Sequence, residues 1–312
     1  MTAWKHDHVT LPNLKMHYVR EGDGAPLLLL HGWPEFWYTW RKNIPTLAER
    51  FDVIAPDFRG SGESENPEAV PDVGDYAEDI VQFIDALDLP KVGLVGHDVG
   101  AFVMQDIARR IPDRINGLLF FNCPHPGIGT RWLDGGHYKE LWYQAFHQLD
   151  WSAKLVGQNR DTCRVYFQHF LNYWAHADDQ FDEDLEAGVD NFMSPGNLQG
   201  GFNWYRAVAD YRQKIIDEGA PSLAPIQIPA YVLWGESDTV LRSEWSDGIE
   251  EYFSQYHCRD RERRRAFCAL RKLFTCKQAN FGILLRITNQ VFQLKTFTTF
   301  HARNSPTKRV HF

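Results

Sequence analysis

The sequence predicts an α/β protein: a mostly parallel central sheet flanked by helices, with a helical cap inserted into it. Three observations carry the prediction. Short runs such as Pro26–Leu30 and Val92–Val95 are apolar or small throughout, as strands buried on both faces should be, and they alternate with stretches of helical apolar spacing. That rhythm stops near Pro124 and resumes at Ile228, and the intervening segment is helical in pattern and rich in aromatic residues. Finally, Lys91–Gly100 reads as a strand, a sharp turn and the start of a helix.

Taken in order, His8–Leu11 and Lys15–Val19 alternate apolar and polar residues around Pro12-Asn13, which predicts an antiparallel hairpin at a sheet edge. The buried strand Pro26–Leu30 then runs into His31-Gly32-Trp33-Pro34-Glu35, and a helix is expected from about Phe36 to Glu49. The strand Phe51–Asp57, a Gly/Ser loop and a helix from about Tyr76 to Leu87 come next. After the strand and helix on either side of Asp98 comes the strand Ile115–Phe121. The sheet resumes at Ile228–Asp238, and a helix is expected from about Ser243 to Phe253. The predicted divisions are a first core part (1–123), a cap (124–221), a second core part (222–255) and a basic tail (256–312).

With 312 residues, 44% hydrophobic and 14% aromatic, the chain is long enough for one large domain with an insertion. No apolar run approaches the roughly 20 residues a membrane helix needs. The first residues lack the apolar core of a signal peptide, so a cytoplasmic location is expected. Cys123, Cys163, Cys258, Cys268 and Cys276 show neither metal-site spacing nor a disulfide framework. No metal or cofactor is expected, nor a nucleic-acid or membrane partner.

The turn Gly96-His97-Asp98-Val99-Gly100 has the pattern of a nucleophile elbow with Asp in place of Ser. An ionised carboxylate needs no base to activate it, and it suits attack on alkyl carbon bearing a strained or good leaving group. Taken alone, Asp98 could equally cap the helix that begins at Val99.

Four motifs in order resemble the α/β-hydrolase fold, and within it the epoxide hydrolase and dehalogenase branch: His31–Tyr38, Asp57–Gly62, Gly96–Gly100 and Trp234–Asp238. The resemblance implies that Asp98 attacks an epoxide carbon to form an alkyl-enzyme ester. It implies that the backbone N–H groups of Trp33 and Val99 form an oxyanion hole, and that Asp238 orients a catalytic histidine. Asn122 occupies the place where some relatives keep that acid. From the cap, the resemblance implies Tyr205 as one donor to the epoxide oxygen. His169, in Arg164-Val165-Tyr166-Phe167-Gln168-His169, is expected as the other, with Tyr143 as its competitor and Trp204 as a substrate contact. The expected substrate is a small, largely apolar epoxide, with water as co-substrate. Val99 offers no side-chain N–H to hold a halide and no charge to hold a carboxylate, which speaks against dehalogenase chemistry and leaves a haloalkane or haloacid dehalogenase as the runner-up enzyme. A non-catalytic binding protein on the same fold is the alternative from another class.

The final His-bearing motif of that branch does not occur. Residues 256–312 instead hold 13 Lys and Arg against 2 Asp and Glu, a net +11 in a chain whose other 255 residues carry −19. Codons permitted for Arg265 through Arg271, read one nucleotide later, allow Gly-His-Phe-Val-His-Tyr-Glu. The tail therefore reads as out of frame, and an exposed sheet edge left by a missing last strand is expected. A genuine basic tail for nucleic acid or acidic membrane is the alternative.

Overall fold

The computed structural model describes residues 4–174, 182–235 and 238–261, with backbone alone at 182–183 and 258–261. Eight strands form one sheet in the order β1-β2-β4-β3-β5-β6-β7-β8. The strands are β1 (His6–Thr10), β2 (Lys15–Glu21), β3 (Ala25–Leu30), β4 (Phe51–Pro56), β5 (Val92–His97), β6 (Ile115–Phe121), β7 (Ala230–Gly235) and β8 (Tyr256–Arg261). β1 and β2 form the antiparallel hairpin at one edge, and every pair from β4 through β8 is parallel.

The sheet is buried on both faces because its central strands are apolar in both directions. Leu28, Leu30, Leu94, Leu118, Phe120, Val232 and Trp234 point into one core, while Leu27, Leu29, Val95, Leu119, Phe121, Tyr231 and Leu233 point into the other. The helices of the core are α1 (Ile44–Leu47), α2 (Val73–Ala86) and α3 (Val99–Arg110). α2 begins three residues earlier than its apolar spacing suggests, because Asp72 and Asp75 close a capping box around its first turn.

Two expected helices are broken. The span from Phe36 to Glu49 is a short 3₁₀ turn, Trp37–Trp40, followed by α1, since Pro45 has no N–H to continue a helix through that point. The span from Ser243 to Phe253 is two 3₁₀ turns, separated at Gly248, whose φ of 71° is left-handed. The expectation of a missing last strand is also corrected. β8 pairs with β7 from Tyr256 to Arg261, so chain already inside the atypical tail completes the sheet. Residues 262–312, on which the out-of-frame reading rests, lie outside the described residues.

Between β6 and β7 the described residues form five further α-helices: α4 (Trp142–His147), α5 (Ser152–Val156), α6 (Arg160–Trp174), α7 (Asp182–Met193) and α8 (Asn197–Glu218). They cover the carboxyl ends of the strands, where ligands of open α/β sheets bind. Among the described residues no helix is long and apolar enough to cross a membrane.

Candidate active site

β5 delivers Asp98 to the centre of this end of the sheet. The residue sits at φ 51°, ψ −111°, a strained conformation for a side chain with a Cβ. The flanking glycines make the turn possible by close approach. A Cβ on Gly100 would lie 2.3 Å from the Leu30 carbonyl oxygen, and one on Gly96 would lie 2.5 Å from the Met104 sulfur. Packing of β5, α3 and β3 therefore fixes where the carboxylate points.

The Trp33 N–H donates to Asp98 Oδ1 at 3.0 Å. Burial pushes the Asp98 carboxyl above its ordinary range, against the neighbouring charge of His97 and the N–H groups of Trp33 and Val99, which favour the anion. Beneath it, His97 Nδ1 lies 3.0 Å from Glu35 Oε2, and Glu35 also accepts the Gly32 N–H at 2.9 Å. Burial opposes charge on both, yet their attraction outweighs it, raising His97 and lowering Glu35. His31 has a structural place: its Nε2 accepts the Phe58 N–H at 3.0 Å and so ties the Trp33 loop to the loop after β4.

Asp238, after β7, is buried. Its Oδ1 accepts the N–H groups of Val240 and Leu241 at 2.8 and 2.9 Å, and its Oδ2 accepts the Asn122 side-chain amide. Burial raises its carboxyl to about 7, with those N–H groups and His97 pulling the other way. Among the described residues, none of its hydrogen-bond partners is an imidazole.

A cavity of about 300 Å³ opens above Asp98 and Val99. From the cap it is lined by Tyr143, Gln144, Trp204, Tyr205 and Arg212, and from the core by Phe102 and Leu241. Tyr143 and Tyr205 face each other with ring centres 5.4 Å apart. Gln144 donates to the Tyr143 hydroxyl at 3.0 Å. Burial, and after it the Asp98 charge, raises the Tyr143 phenol; Gln144, Arg212 and Tyr205 act in the opposite sense. Burial, and next the proximity of Tyr143, raises Tyr205 further. Both phenols hold their protons at neutral pH. Trp204 is buried against Tyr76 and Phe102, at ring-centre distances of 5.1 and 5.5 Å.

The expectation for His169 is corrected. It lies on the outer face of α6, exposed, with its ring 5.7 Å from that of Tyr173, and it lines a separate cavity with Lys139, Glu140 and Trp142. The inner face of α6 carries Phe167 and Phe170 instead, and Tyr143 on α4 takes the place beside Tyr205. Two residues not anticipated from the sequence, Gln144 and Arg212, line the cavity, and the buried His147 packs against Tyr143 and Tyr205, with ring centres 5.6 and 4.7 Å away, while its Nε2 shares a hydrogen bond of 2.7 Å with the Tyr166 hydroxyl. Arg212 had a signal, since seven residues after Tyr205 it returns to the same helix face. Away from the cavity, His6, His17 and Glu63 bring potential metal-ligating atoms within 4.8 Å of one another; His6 and His17 already share a hydrogen bond of 2.9 Å.

A family model described as the alpha/beta hydrolase fold matches residues 25–265. The chain belongs to the α/β-hydrolase fold family. Among curated proteins, this α/β hydrolase is similar to a soluble epoxide hydrolase of Corynebacterium sp. (strain C12), 32% identical over 265 residues, covering 80% of this chain and 87% of that protein. It is also similar to epoxide hydrolase 2 of Caenorhabditis elegans, 30% identical over 269 residues, covering 82% and 72% of the two chains. Among solved structures, the epoxide hydrolase CorEH without ligand superposes with a TM-score of 0.77 at 27% identity, covering 94% of this hydrolase and 100% of that chain. The hydrolase is thus of the epoxide hydrolase kind.

Proposed function

We propose that this hydrolase opens an epoxide through an ester on Asp98. The observation that carries the reading is a carboxylate, rather than a hydroxyl, at the elbow, set in one cavity with two protonated phenols. An Asp98 oxygen attacks one epoxide carbon, that carbon's bond to the ring oxygen breaks, and the oxygen takes a proton from Tyr143 or Tyr205. The product is a hydroxyalkyl ester. Water then attacks the ester carbonyl, whose developing oxyanion meets the N–H groups of Trp33 and Val99. Loss of the alkoxide, protonated as it leaves, gives the diol and restores the carboxylate.

Tyr143 is the better placed proton donor. Its hydroxyl accepts from Gln144, which leaves its own proton for the epoxide oxygen. The second half-reaction needs a base, and Asp238 is the group that would orient one. The final Gly-His-Phe motif that supplies this base in the epoxide hydrolase branch does not occur in the sequence, so hydrolysis of the ester is expected to be slow. Apolar lining by Val99, Phe102, Trp204 and Val208 suits a substrate that is mostly hydrocarbon, and no cofactor enters these steps.

Intact-protein mass spectrometry after incubation with styrene oxide tests this. A persistent adduct of the epoxide's mass is expected in the wild type and not in Asp98→Asn. Diol release without any adduct would mean that a base completes the cycle efficiently. A folded sample giving neither adduct nor diol would sink the epoxide reading in favour of a binding protein.

A further inference from the structure

Arg212 puts a guanidinium into the cavity that also holds the Asp98 carboxylate, among aromatic, aliphatic and amide side chains. Its one protein acceptor among the described residues is the neutral Gln144 Oε1, and its face lies 4.7 Å from the centre of the Trp132 ring. Two other partly buried arginines have acids: Arg59 is bidentate on Asp79, at 2.6 and 2.7 Å, and Arg41 pairs with Asp184, whereas Arg109, away from Tyr143, donates to the Gln105 carbonyl. Taking a guanidinium out of water without an anion is costly. Arg212 nevertheless lines the cavity, and among the described residues its remaining N–H donors have no protein acceptor.

The surroundings also fix its distance from the chemistry. Gln144 bridges the two, accepting from Arg212 through Oε1 and donating to the Tyr143 hydroxyl through Nε2. Ordinary hydrogen-bond lengths on either side of one amide put the guanidinium within about 8 Å of that hydroxyl. Stacking on Trp132 and the bond to Gln144 hold the fork in place, which favours planar, bidentate recognition.

Building on the epoxide reading, we infer that Arg212 is a specificity-determining anion clamp, and that the substrate is a short epoxy acid whose carboxylate lies only a few bonds from the oxirane. With the oxirane oxygen against Tyr143, a carboxylate on Arg212 spans the cavity, and the hydrocarbon between them packs on Val208 and Trp204. One guanidinium with one donor already used suits a monoanionic carboxylate better than a dianionic phosphate, which calls for more donors. The clamp would also set the attacked carbon, because it fixes one end of the substrate while Asp98 waits at the other.

The test compares labelling of Asp98 in the full chain by phenylglycidate and by its uncharged primary amide, followed by intact mass. The acid is expected to label about tenfold faster or more, the advantage of a charge-assisted pair. In Arg212→Met that ratio should collapse towards unity, and Arg212→Lys should retain part of it. The ratio is internal to each sample, so a partly misfolded variant does not mimic the result. Equal labelling by acid and amide in the wild type would overturn the clamp while leaving the epoxide reading intact. If diol forms without a lasting adduct, the same acid-to-amide ratio is read from diol release; if neither probe labels or yields diol, the epoxide reading falls, and calorimetry with the unreactive hydrocinnamate decides the clamp: binding lost in Arg212→Met supports it, no binding in the wild type overturns it. A phosphate monoester that binds this site more tightly than hydrocinnamate does would overturn the carboxylate assignment.

Discussion

Asp98 lies between opposing influences, and its chemistry follows from which wins. Burial raises its carboxyl while two N–H groups and His97 favour the anion. Because the net shift is upward, labelling by styrene oxide should fall as pH drops through a range above that of an exposed aspartate. A rate-against-pH series on the wild type checks this, and a rate flat down to about pH 4, the ordinary range, would refute it. Tyr143→Phe should slow adduct formation by about 100-fold, the low end for losing a positioned acid, while His169→Ala should leave it unchanged. The turn motifs made the places of Asp98, Trp33, Val99 and Asp238 at the strand ends legible in the sequence, since each is fixed by backbone within a few residues of a strand. The choice between Tyr143 and His169 was not legible. It depends on how α4 and α6 are rotated against the core, and aromatic residues line both faces of α6, so periodicity carries no sign of which face turns inward.

At the level of elements, the junction of β5 and α3 is where packing leaves the least room. Gly100→Ala would drive a Cβ to within 2.3 Å of the Leu30 carbonyl oxygen, which must move with its strand. A loss of about 1–3 kcal/mol is expected from such overpacking, read as a lower denaturation midpoint, together with slower labelling because the elbow shifts. Strands were the readable elements, and for a physical reason. A strand buried on both faces must be apolar along its whole length, and Leu27–Leu30 or Leu118–Phe121 can be little else. Helix boundaries were less readable. Pro45 and Gly248 interrupt stretches whose apolar spacing alone suits a continuous helix. The strand β8 escaped notice because Cys258-Arg259-Asp260-Arg261 has no alternating pattern; its pairing comes from the exposed edge of β7.

For the whole molecule, buried imidazoles set the response to acid. His137 is fully buried against Trp245, neither ring nitrogen has a partner among the described residues, and burial lowers it to about 4. His147 is lowered well below its ordinary value by burial as well. Their unfolded forms bind a proton near pH 6.5, so between there and about 4 the unfolded state holds more protons and stability falls with pH. A single such group contributes a slope of at most about 1.4 kcal/mol per pH unit. His137→Phe should flatten the fall in melting temperature between pH 6.5 and 4. Asp238 acts in the opposite direction, since a carboxyl raised to about 7 makes the folded state the better proton binder from about pH 4 upward. A variant whose acid slope equals that of the wild type would show that the His137 ring is hydrated.

Trp33 joins these levels in one residue. Its backbone N–H holds the Asp98 carboxylate, while its indole stands among cap rings, stacked 5.5 Å from Tyr143 and within 4.6 Å of His147, 5.1 Å of Phe170 and 5.4 Å of Tyr205. One residue thus belongs to both floor and roof: whatever disturbs the packing of the cap around that indole is expected to be felt at the amide beside the nucleophile.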